Sequence, residues 1–172
     1  VGQAFMYAAK GGEVFVLGNA AGRPLINAVG KPKVVINGTA LDYLAESFMA
    51  GDPLKGGGFV GLNGIRVTGR GEFRELESPY SGGNLFSLAS GGALYLRDPD
   101  HKVGNDQLNG GKLAYISNED WDLFRPLLIE NERLFGIKVQ DLLTHKGQVY
   151  PAKAIYRKIV PTALRALIMA YD

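Results

Sequence analysis

The sequence contains no cysteine, which excludes disulfide bonds, thiolate nucleophiles and cysteine metal sites. It has only 2 histidines, so few side chains are available for a histidine-based metal site or a catalytic triad. A chain without cysteine fits a reducing compartment, and we therefore expect a cytoplasmic protein.

Long apolar segments and basic clusters are also missing. No apolar run approaches the roughly 18 residues that a membrane-spanning helix needs, and no secretory leader opens the chain. The net charge is only +2 and the basic residues are scattered, without the basic stripe and stacking aromatics of a nucleic-acid-binding surface. We therefore expect neither a membrane nor a nucleic acid as partner. The first residue is Val1, which indicates a processed chain or a piece of a longer one.

The composition is that of a globular domain, with 46% hydrophobic and 21% charged residues in a chain of 172. Glycine is its most informative residue, because 22 of the 24 glycines lie at or before Gly111 and only Gly136 and Gly147 follow. This break predicts two parts. Residues 1–116 would form a glycine-rich β-structure, and residues 117–172 a helical tail that packs on it or caps it.

Short strands punctuated by glycine are predicted throughout the first part. They are rich in Val, Ile, Leu, Phe and Tyr, as strands are. The predicted strands are Glu13–Leu17, Lys33–Ile36, Phe59–Leu62, Ile65–Thr68, Leu85–Leu88, Ala93–Leu96 and Lys112–Ile116. Gly-Gly pairs at 11–12, 57–58, 82–83, 91–92 and 110–111 stand between them. Glycine suits corners that need a positive φ or a close backbone approach.

A double glycine followed by a strand recurs in one sense, as GGEVFVLG (11–18), GGALYLRD (91–98) and GGKLAYIS (110–117). A strand and a glycine corner repeated roughly every twenty residues are typical of a solenoid. Asn-Gly turns would also fit an antiparallel sandwich or meander. The linkers are small and apolar, however, unlike polar hairpin tips. We therefore predict a mainly β fold, a single-stranded right-handed parallel β-helix followed by the helical tail.

Several helices are predicted in the tail. Ser117 or Asn118 would cap the first helix, which Gly136 would end, and Pro126 would break it or start a second one. Another apolar face begins at Val139. Two further helices are predicted at Ala152–Lys158 and Thr162–Ala170.

Two loops carry candidate chemistry. Asp98, Asp100, His101 and Asp106 lie close together in RDPDHKVGND, but their spacing fits no calcium or zinc pattern, and Asp-Pro-Asp is ordinary turn chemistry. The run Lys55–Gly58 offers backbone N–H groups to a phosphate, yet it lacks the spacing and the Lys-Ser/Thr of a phosphate-binding loop. We interpret the first as a surface turn and the second as a mobile insert.

Nucleophilic catalysis has no recognisable frame in the sequence. His145 lies near a predicted helix end without an acid or nucleophile at a familiar spacing, which favours a capping or packing role. Ser47, Ser87 and Ser90 stand outside any Gly-x-Ser-x-Gly elbow. We predict no catalytic, cofactor-binding or metal-binding residue in this chain.

An ordered set of motifs resembles one known family. The stretch from Tyr7 to Gly51 carries Gly12, Gly18, Ala-Gly-Arg-Pro (21–24), Val-Val-Ile-Asn-Gly (34–38) and Phe-Met-Ala-Gly (48–51). SGGNLFSLASGGALYLRD (81–98) and LLTHKGQVYPAKAIYRKIVPTAL (142–164) follow in the same order. Together they resemble the glycine-repeat (GXGXG) domain at the C-terminus of the glutamate synthase large (alpha) subunit, or a stand-alone protein of that superfamily.

The resemblance implies a β-helix that serves as a non-catalytic scaffold in a glutamate synthase-like amidotransferase and oxidoreductase of glutamate biosynthesis. Its partners would be the glutaminase and flavin-barrel parts, and FMN and the iron–sulfur cluster would belong to those partners. A similar repeat occurs in a subunit of formylmethanofuran dehydrogenase. The alternative is a stand-alone binding protein that holds a small ligand on one face or on the inserts at 52–58 and 69–81.

Self-association is also expected. The first coil, which contains the apolar residues Phe5 and Met6, would present unpaired backbone groups. Exposed strand edges and apolar patches favour pairing with another chain. We therefore predict a homodimer or a larger homo-oligomer of the isolated chain, formed through this N-terminal coil.

Overall fold

The computed structural model of the chain describes residues 1–162. The strands of the described part are β1 (Glu13–Val16), β2 (Lys33–Ile36), β3 (Phe59–Leu62), β4 (Ile65–Gly69), β5 (Glu72–Glu75), β6 (Ala93–Arg97), β7 (Gly111–Tyr115), β8 (Thr144–His145), β9 (Gln148–Val149) and β10 (Tyr156–Pro161). Its α-helices are α1 (Asn118–Phe135), α2 (Val139–Leu142) and α3 (Ala152–Ile155), and single 3₁₀ turns lie at Pro53–Lys55 and Asn105–Gln107.

A mostly parallel six-stranded sheet organises the molecule, in the order β1-β2-β3-β6-β10-β7. Strands β1, β2, β3 and β6 are parallel and in register, so that Val14, Val34, Val60 and Leu94 form one row. Strand β10 enters antiparallel between β6 and β7. A strand from the C-terminal part of the chain thus completes the sheet built by the glycine-rich part.

The predicted single-stranded parallel β-helix is therefore wrong, and the fold is mixed α/β. The sheet contains an antiparallel strand, β10, from a segment predicted to be helical. Two small antiparallel sheets, β4–β5 and β8–β9, lie outside it. The predicted strand at Leu85–Leu88 forms a turn segment instead. The sequence repeat reflects in part the parallel pairing of β1, β2, β3 and β6, but β7, which follows the last double glycine, pairs antiparallel with β10.

Four turn segments stack beside the sheet, at residues 4–8, 23–27, 43–47 and 84–88. We call them the stacked segments. In each of them the first, third and fifth residues have positive φ, as at Ala4 (56°), Met6 (57°) and Ala8 (54°). This conformation is unfavourable for residues other than glycine. Backbone hydrogen bonds between successive segments, such as Leu25 N–H to Phe5 O at 2.7 Å, hold it in place.

Two hydrophobic cores lie on the two faces of the main sheet. One core lies between the sheet and the stacked segments, where Leu25, Leu44 and Phe86 meet Val34, Val60 and Leu94. The other lies between the sheet and α1, where Phe59, Tyr95 and Phe124 pack edge-to-face and stacked, with ring centroids 5.0–5.9 Å apart. Both faces of the sheet are covered, as is usual for parallel strands.

The tail differs from its prediction in two helices. Helix α1 has the predicted Ser117 cap and Gly136 stop, but it runs through Pro126 without a break. The predicted helix Ala152–Lys158 is only the short α3, because the chain becomes strand β10 at Tyr156. The predicted helix Thr162–Ala170 falls outside the described residues except for Thr162.

Candidate functional site

A histidine between two carboxylates is the most conspicuous polar cluster of the described residues. His145 lies in β8, Glu75 ends β5, and Asp100 lies in the turn that follows β6. The Nδ1 atom of His145 is 2.9 Å from Oε1 of Glu75, and its Nε2 atom is 2.9 Å from Oδ1 of Asp100. We call these three residues the histidine clasp, since they join three separate parts of the chain.

Two cations complete the cluster. The Nη2 atom of the buried Arg97 side chain donates to Oε1 of Glu75 at 2.9 Å and also to the carbonyl of Thr144. The Nζ atom of Lys146 is 3.6 Å from Oδ1 of Asp100. Each carboxylate of the clasp therefore faces the imidazole and one permanent cation.

The electrostatics favour a protonated imidazole. The hydrogen bond to Glu75, helped by that to Asp100, raises the pKa of His145 despite its partial desolvation. Burial alone would raise the pKa of Glu75, but its bonds to His145 and Arg97 outweigh burial and lower it. The hydrogen bond from His145 also lowers the pKa of Asp100. Since both ring nitrogens face carboxylate oxygens, the imidazolium can donate to both at once.

The clasp is poorly arranged for metal binding. Its three ligand atoms lie within 4.8 Å of one another, but the two carboxylates contact opposite nitrogens of the ring. A metal ion bound by Glu75, Asp100 and one nitrogen of His145 would require the imidazole ring to give up its contact with one of the two carboxylates. Arg97 and Lys146 already neutralise the acids. The geometry therefore fits a structural ion-pair network, and it leaves no ring nitrogen free to act as a general base.

The candidate loop at residues 98–106 is divided by the structure. The carboxylate of Asp98 is buried, where it accepts from the backbone N–H groups of Lys102 and Val103 and from Nη1 of Arg157 at 2.8–3.0 Å. Asp100 belongs to the histidine clasp. His101 is exposed in the left-handed conformation (φ 54°), and Asp106 is exposed in the second 3₁₀ turn. The four side chains thus do not form one site.

The glycine run at residues 55–58 does not form a phosphate cradle. Its backbone N–H groups are already bonded, those of Lys55 and Gly57 to the carbonyl of Asp52 and that of Gly58 to the carbonyl of Ala50. The Asp52 side chain caps the 3₁₀ turn by accepting from Leu54 N–H at 3.0 Å. A loop whose donors are used internally offers none to an anion.

The serine candidates also lack a catalytic partner. Neither ring nitrogen of His145 contacts Ser47, Ser87 or Ser90, since both contact carboxylates. Ser47 and Ser87 belong to the stacked segments, where Ser47 N–H donates to the carbonyl of Ser87 at 2.7 Å. Backbone hydrogen bonds between the stacked segments therefore account for the positions of Ser47 and Ser87.

Sequence reasoning missed a second buried network. Asp120 of α1 accepts from the Tyr95 hydroxyl at 2.6 Å, and the Lys158 ammonium lies 2.8 Å from the same oxygen. Burial opposes ionisation of Asp120, but the bonds from Lys158, Tyr95 and Ser117 lower its pKa. The pKa of Tyr95 is raised, first by burial and then by Asp120. No local motif indicated this network, because α1, β6 and β10 meet only in the fold.

A shallow cavity of about 240 Å³ opens beside β7 and β10. Leu113, Ala114 and Tyr156 contribute apolar surface, and the Tyr115 ring is 87% exposed. His101, Lys153 and Arg157 also line it, and no carboxylate does so among the described residues. The cavity therefore combines an apolar surface with the cation of Lys153, whereas the Arg157 guanidinium is already paired with Asp98.

Comparison with family models, with curated proteins and with solved structures gave no match for the chain. Within residues 1–162, no helix combines the length and the apolar character required to cross a membrane.

Proposed function

We propose that the chain is a structural, non-catalytic module of a multi-part enzyme. The observation that carries this proposal is the histidine clasp, whose ionisable groups are all engaged with one another. Both nitrogens of His145 face carboxylates, and Glu75 and Asp100 also face Arg97 and Lys146. In the described residues, every buried side-chain nitrogen and oxygen has a hydrogen-bond partner. Such saturated networks stabilise a fold and leave little chemistry for a substrate.

The ordered sequence resemblance supplies the kind of enzyme. We propose that the module belongs to a glutamate synthase-like amidotransferase and docks its glutaminase and flavin-barrel parts, which would hold FMN and the iron–sulfur cluster. The hydrophobic cores on the two faces of the main sheet support a docking role, because close packing on both sides holds the surface of the module in a defined conformation. The cytoplasm is the expected compartment for such an enzyme.

The first experiment examines the purified chain alone. We expect no glutamine hydrolysis, no flavin absorbance and no stoichiometric iron or zinc. The matched variant is His145→Gln, which removes the one histidine of the clasp. Glutamine hydrolysis that disappears in His145→Gln would contradict the proposal, because the clasp would then be catalytic.

The second experiment examines docking. The chain is mixed with the separately purified glutaminase and flavin-barrel parts of a glutamate synthase-like enzyme, and the mixture is analysed by size-exclusion chromatography with light scattering. We expect co-elution with at least one part. Independent elution of all three proteins would contradict the glutamate synthase assignment while leaving a structural role in another assembly.

A second candidate function rests on the cavity beside β7. The Lys153 ammonium beside the apolar surface of Leu113, Ala114 and Tyr156 favours a small organic anion such as an aromatic carboxylate. The probe is benzoate, with binding followed by thermal shift and by NMR of the Tyr115 ring. Lys153→Ala should weaken binding, whereas Lys146→Ala, on the histidine clasp, should leave it unchanged. Unchanged binding in Lys153→Ala would contradict this candidate.

A further inference from the structure

Three asparagines of the chain are followed directly by glycine, namely Asn37, Asn63 and Asn109. An Asn-Gly pair favours spontaneous deamidation, because glycine has no Cβ atom to shield its backbone nitrogen from the preceding side chain. A branched aliphatic residue, isoleucine or leucine, precedes the asparagine in all three pairs. The local sequence therefore predicts similar reactivity at the three sites, and differences between them must come from the fold.

The side chains of Asn37 and Asn63 are held in the interior. Both residues are 0% exposed. Asn37 Nδ2 donates to Val16 O at 2.9 Å and to Asn131 Oδ1 at 2.8 Å. Asn63 Nδ2 donates to Asn37 Oδ1 at 2.9 Å, and Asn63 Oδ1 accepts from the Tyr156 hydroxyl at 2.7 Å. A reaction at either amide would first have to break these buried bonds.

The glycine nitrogens that would attack these two amides are also engaged. Gly38 N–H donates to Gly18 O at 3.0 Å, and Gly64 N–H donates to Gly38 O at 3.0 Å. Attack requires the backbone nitrogen to lose its proton and to approach the side-chain carbon. A hydrogen bond to a neighbouring turn opposes both steps, so the fold protects the two buried pairs twice.

The third pair has neither form of protection among residues 1–162. Asn109 and Gly110 are both exposed. The Asn109 amide makes one side-chain bond, from Nδ2 to Oδ1 of the exposed Asn84 at 3.2 Å. The Gly110 N–H has no acceptor in the described part of the chain. A Cβ atom at Gly110 would come no closer than 3.6 Å to the Leu88 nitrogen, so the surroundings are open.

We propose that Asn109 is a site of covalent modification by deamidation through the Gly110 nitrogen. This nitrogen gives its proton to solvent and forms a bond to Cγ of Asn109, while the Cγ–Nδ2 bond breaks and ammonia leaves. Water then opens the resulting succinimide ring at either of its two carbonyl carbons. The products are aspartate and isoaspartate, and nothing is oxidised or reduced. The reaction is independent of the proposed function, since water is its only co-reactant.

The isoaspartate product would alter the connection into β7. Asn109 O accepts from Leu88 N–H at 3.0 Å, and Gly110 O accepts from Thr162 N–H at 2.8 Å. Isoaspartate passes the main chain through its side-chain carbon, so it adds one backbone atom between these two carbonyls. The carbonyl of residue 109 becomes a free carboxylate. We therefore expect the stacked segment 84–88 and β7 to lose their present register.

The test is the rate of modification at each pair in the full chain, incubated in mildly alkaline buffer and analysed by peptide mass spectrometry. In the folded chain Asn109 should react at least roughly tenfold faster than Asn37 and Asn63. In guanidinium chloride the three pairs should react at comparable rates, because their local sequences are alike. Equal rates in the folded chain, or a folded chain unmodified at Asn109, would overturn the proposal.

A second measurement tests the route. Hydroxylamine should cleave the incubated chain between Asn109 and Gly110, because it attacks the succinimide, and isoaspartate should be found at position 109. The matched control is Asn109→Gln, which keeps an amide but should abolish both signals. Aspartate without isoaspartate would exclude attack by the Gly110 nitrogen and overturn the proposed route.

A third measurement tests the consequence for β7. The isoaspartate-containing chain should unfold at a lower temperature than Asn109→Asp, which has the added charge without the added backbone atom. Equal unfolding temperatures would overturn the expected effect on β7.

Discussion

The side-chain amides of Asn37 and Asn131 exchange two hydrogen bonds, although the residues lie 94 positions apart. Asn37 Nδ2 donates to Asn131 Oδ1 at 2.8 Å, and Asn131 Nδ2 donates to Asn37 Oδ1 at 2.9 Å. Asn63 also donates to Asn37 Oδ1 and accepts from the Tyr156 hydroxyl. These buried amides fix α1 on the ends of β2 and β3.

Replacement of Asn131 by alanine should therefore destabilise the fold. The substitution removes the two buried hydrogen bonds between Asn131 and Asn37, while Asn37 keeps its bonds to Val16 O and from Asn63. We expect this loss to cost about 1–3 kcal/mol of unfolding free energy. Urea denaturation gives this value. The control is Asn109→Ala, whose exposed amide lies 3.2 Å from Asn84, and it should change stability by less than about 0.5 kcal/mol. Equal stability of the two variants would show that the amide pair contributes nothing.

The Tyr95–Asp120–Lys158 network predicts a larger effect. The Asp120 and Lys158 side chains are only 2% and 12% exposed, so neutralising the acid leaves a buried ammonium without its counter-charge. We expect Asp120→Asn to lower the unfolding free energy by about 3 kcal/mol in urea denaturation. Asp122→Asn, two residues along α1 and exposed, should have little effect. A loss below about 1 kcal/mol in Asp120→Asn would mean that Lys158 finds solvent or another acceptor.

Strand positions could be predicted from the sequence where apolar residues stand between glycines. Lys33–Ile36 and Phe59–Leu62 are confirmed at their predicted bounds, and Glu13–Leu17 to within one residue. Strand β10 was missed because YRKIVP pairs with β6 and β7, which lie far away in sequence. Strand β5 was missed because its polar sequence EFRE resembles a loop. The segment 84–88 has apolar residues typical of a strand, but its alternating φ is fixed by stacking on residues 43–47.

The polar networks were less predictable than the strands. Glu75, Asp100 and His145 are separated by long stretches of chain, and no spacing motif connects them. Asn37 and Asn63 had a usable signal, since each follows a buried strand and precedes a glycine. From sequence alone an Asn-Gly pair indicates a turn, because the partner of Asn37, Asn131, lies 94 positions away in α1.

The glycine corners differ in what an added methyl group would meet. Gly12 has φ 96° and open space around the position of a Cβ atom, so Gly12→Ala should cost only the conformational penalty of about 1 kcal/mol. Gly92 has φ 81°, and a Cβ atom there would also collide with the Phe48 ring. Gly92→Ala should therefore destabilise by about 2–4 kcal/mol in urea denaturation. Equal losses in the two variants would contradict the packing argument at Gly92.

The histidine clasp makes the stability of the fold depend on pH in both directions. Its bonds to Glu75 and then Asp100 raise the pKa of His145 above its usual 6.5, so this stabilisation is complete below 6.5 and is lost as the pH rises through the raised value. The pKa values of Glu75 and Asp100 are lowered from 4.5 and 3.8, so their contribution is complete above 4.5 and is lost on acidification. The clasp therefore stabilises most between about pH 4.5 and 6.5.

We expect the unfolding free energy of the parent chain to decline from pH 6.5 toward pH 9, measured by urea denaturation at a series of pH values. His145→Gln should remove most of this decline, because glutamine does not titrate and no imidazolium is then lost. The control is His101→Asn, which removes the chain's other histidine at an exposed position where asparagine accepts the left-handed backbone. This control should keep the slope of the parent. A decline that persists in His145→Gln and disappears in His101→Asn would show that His101 is the group that titrates. That result would contradict the clasp as the source of the pH dependence.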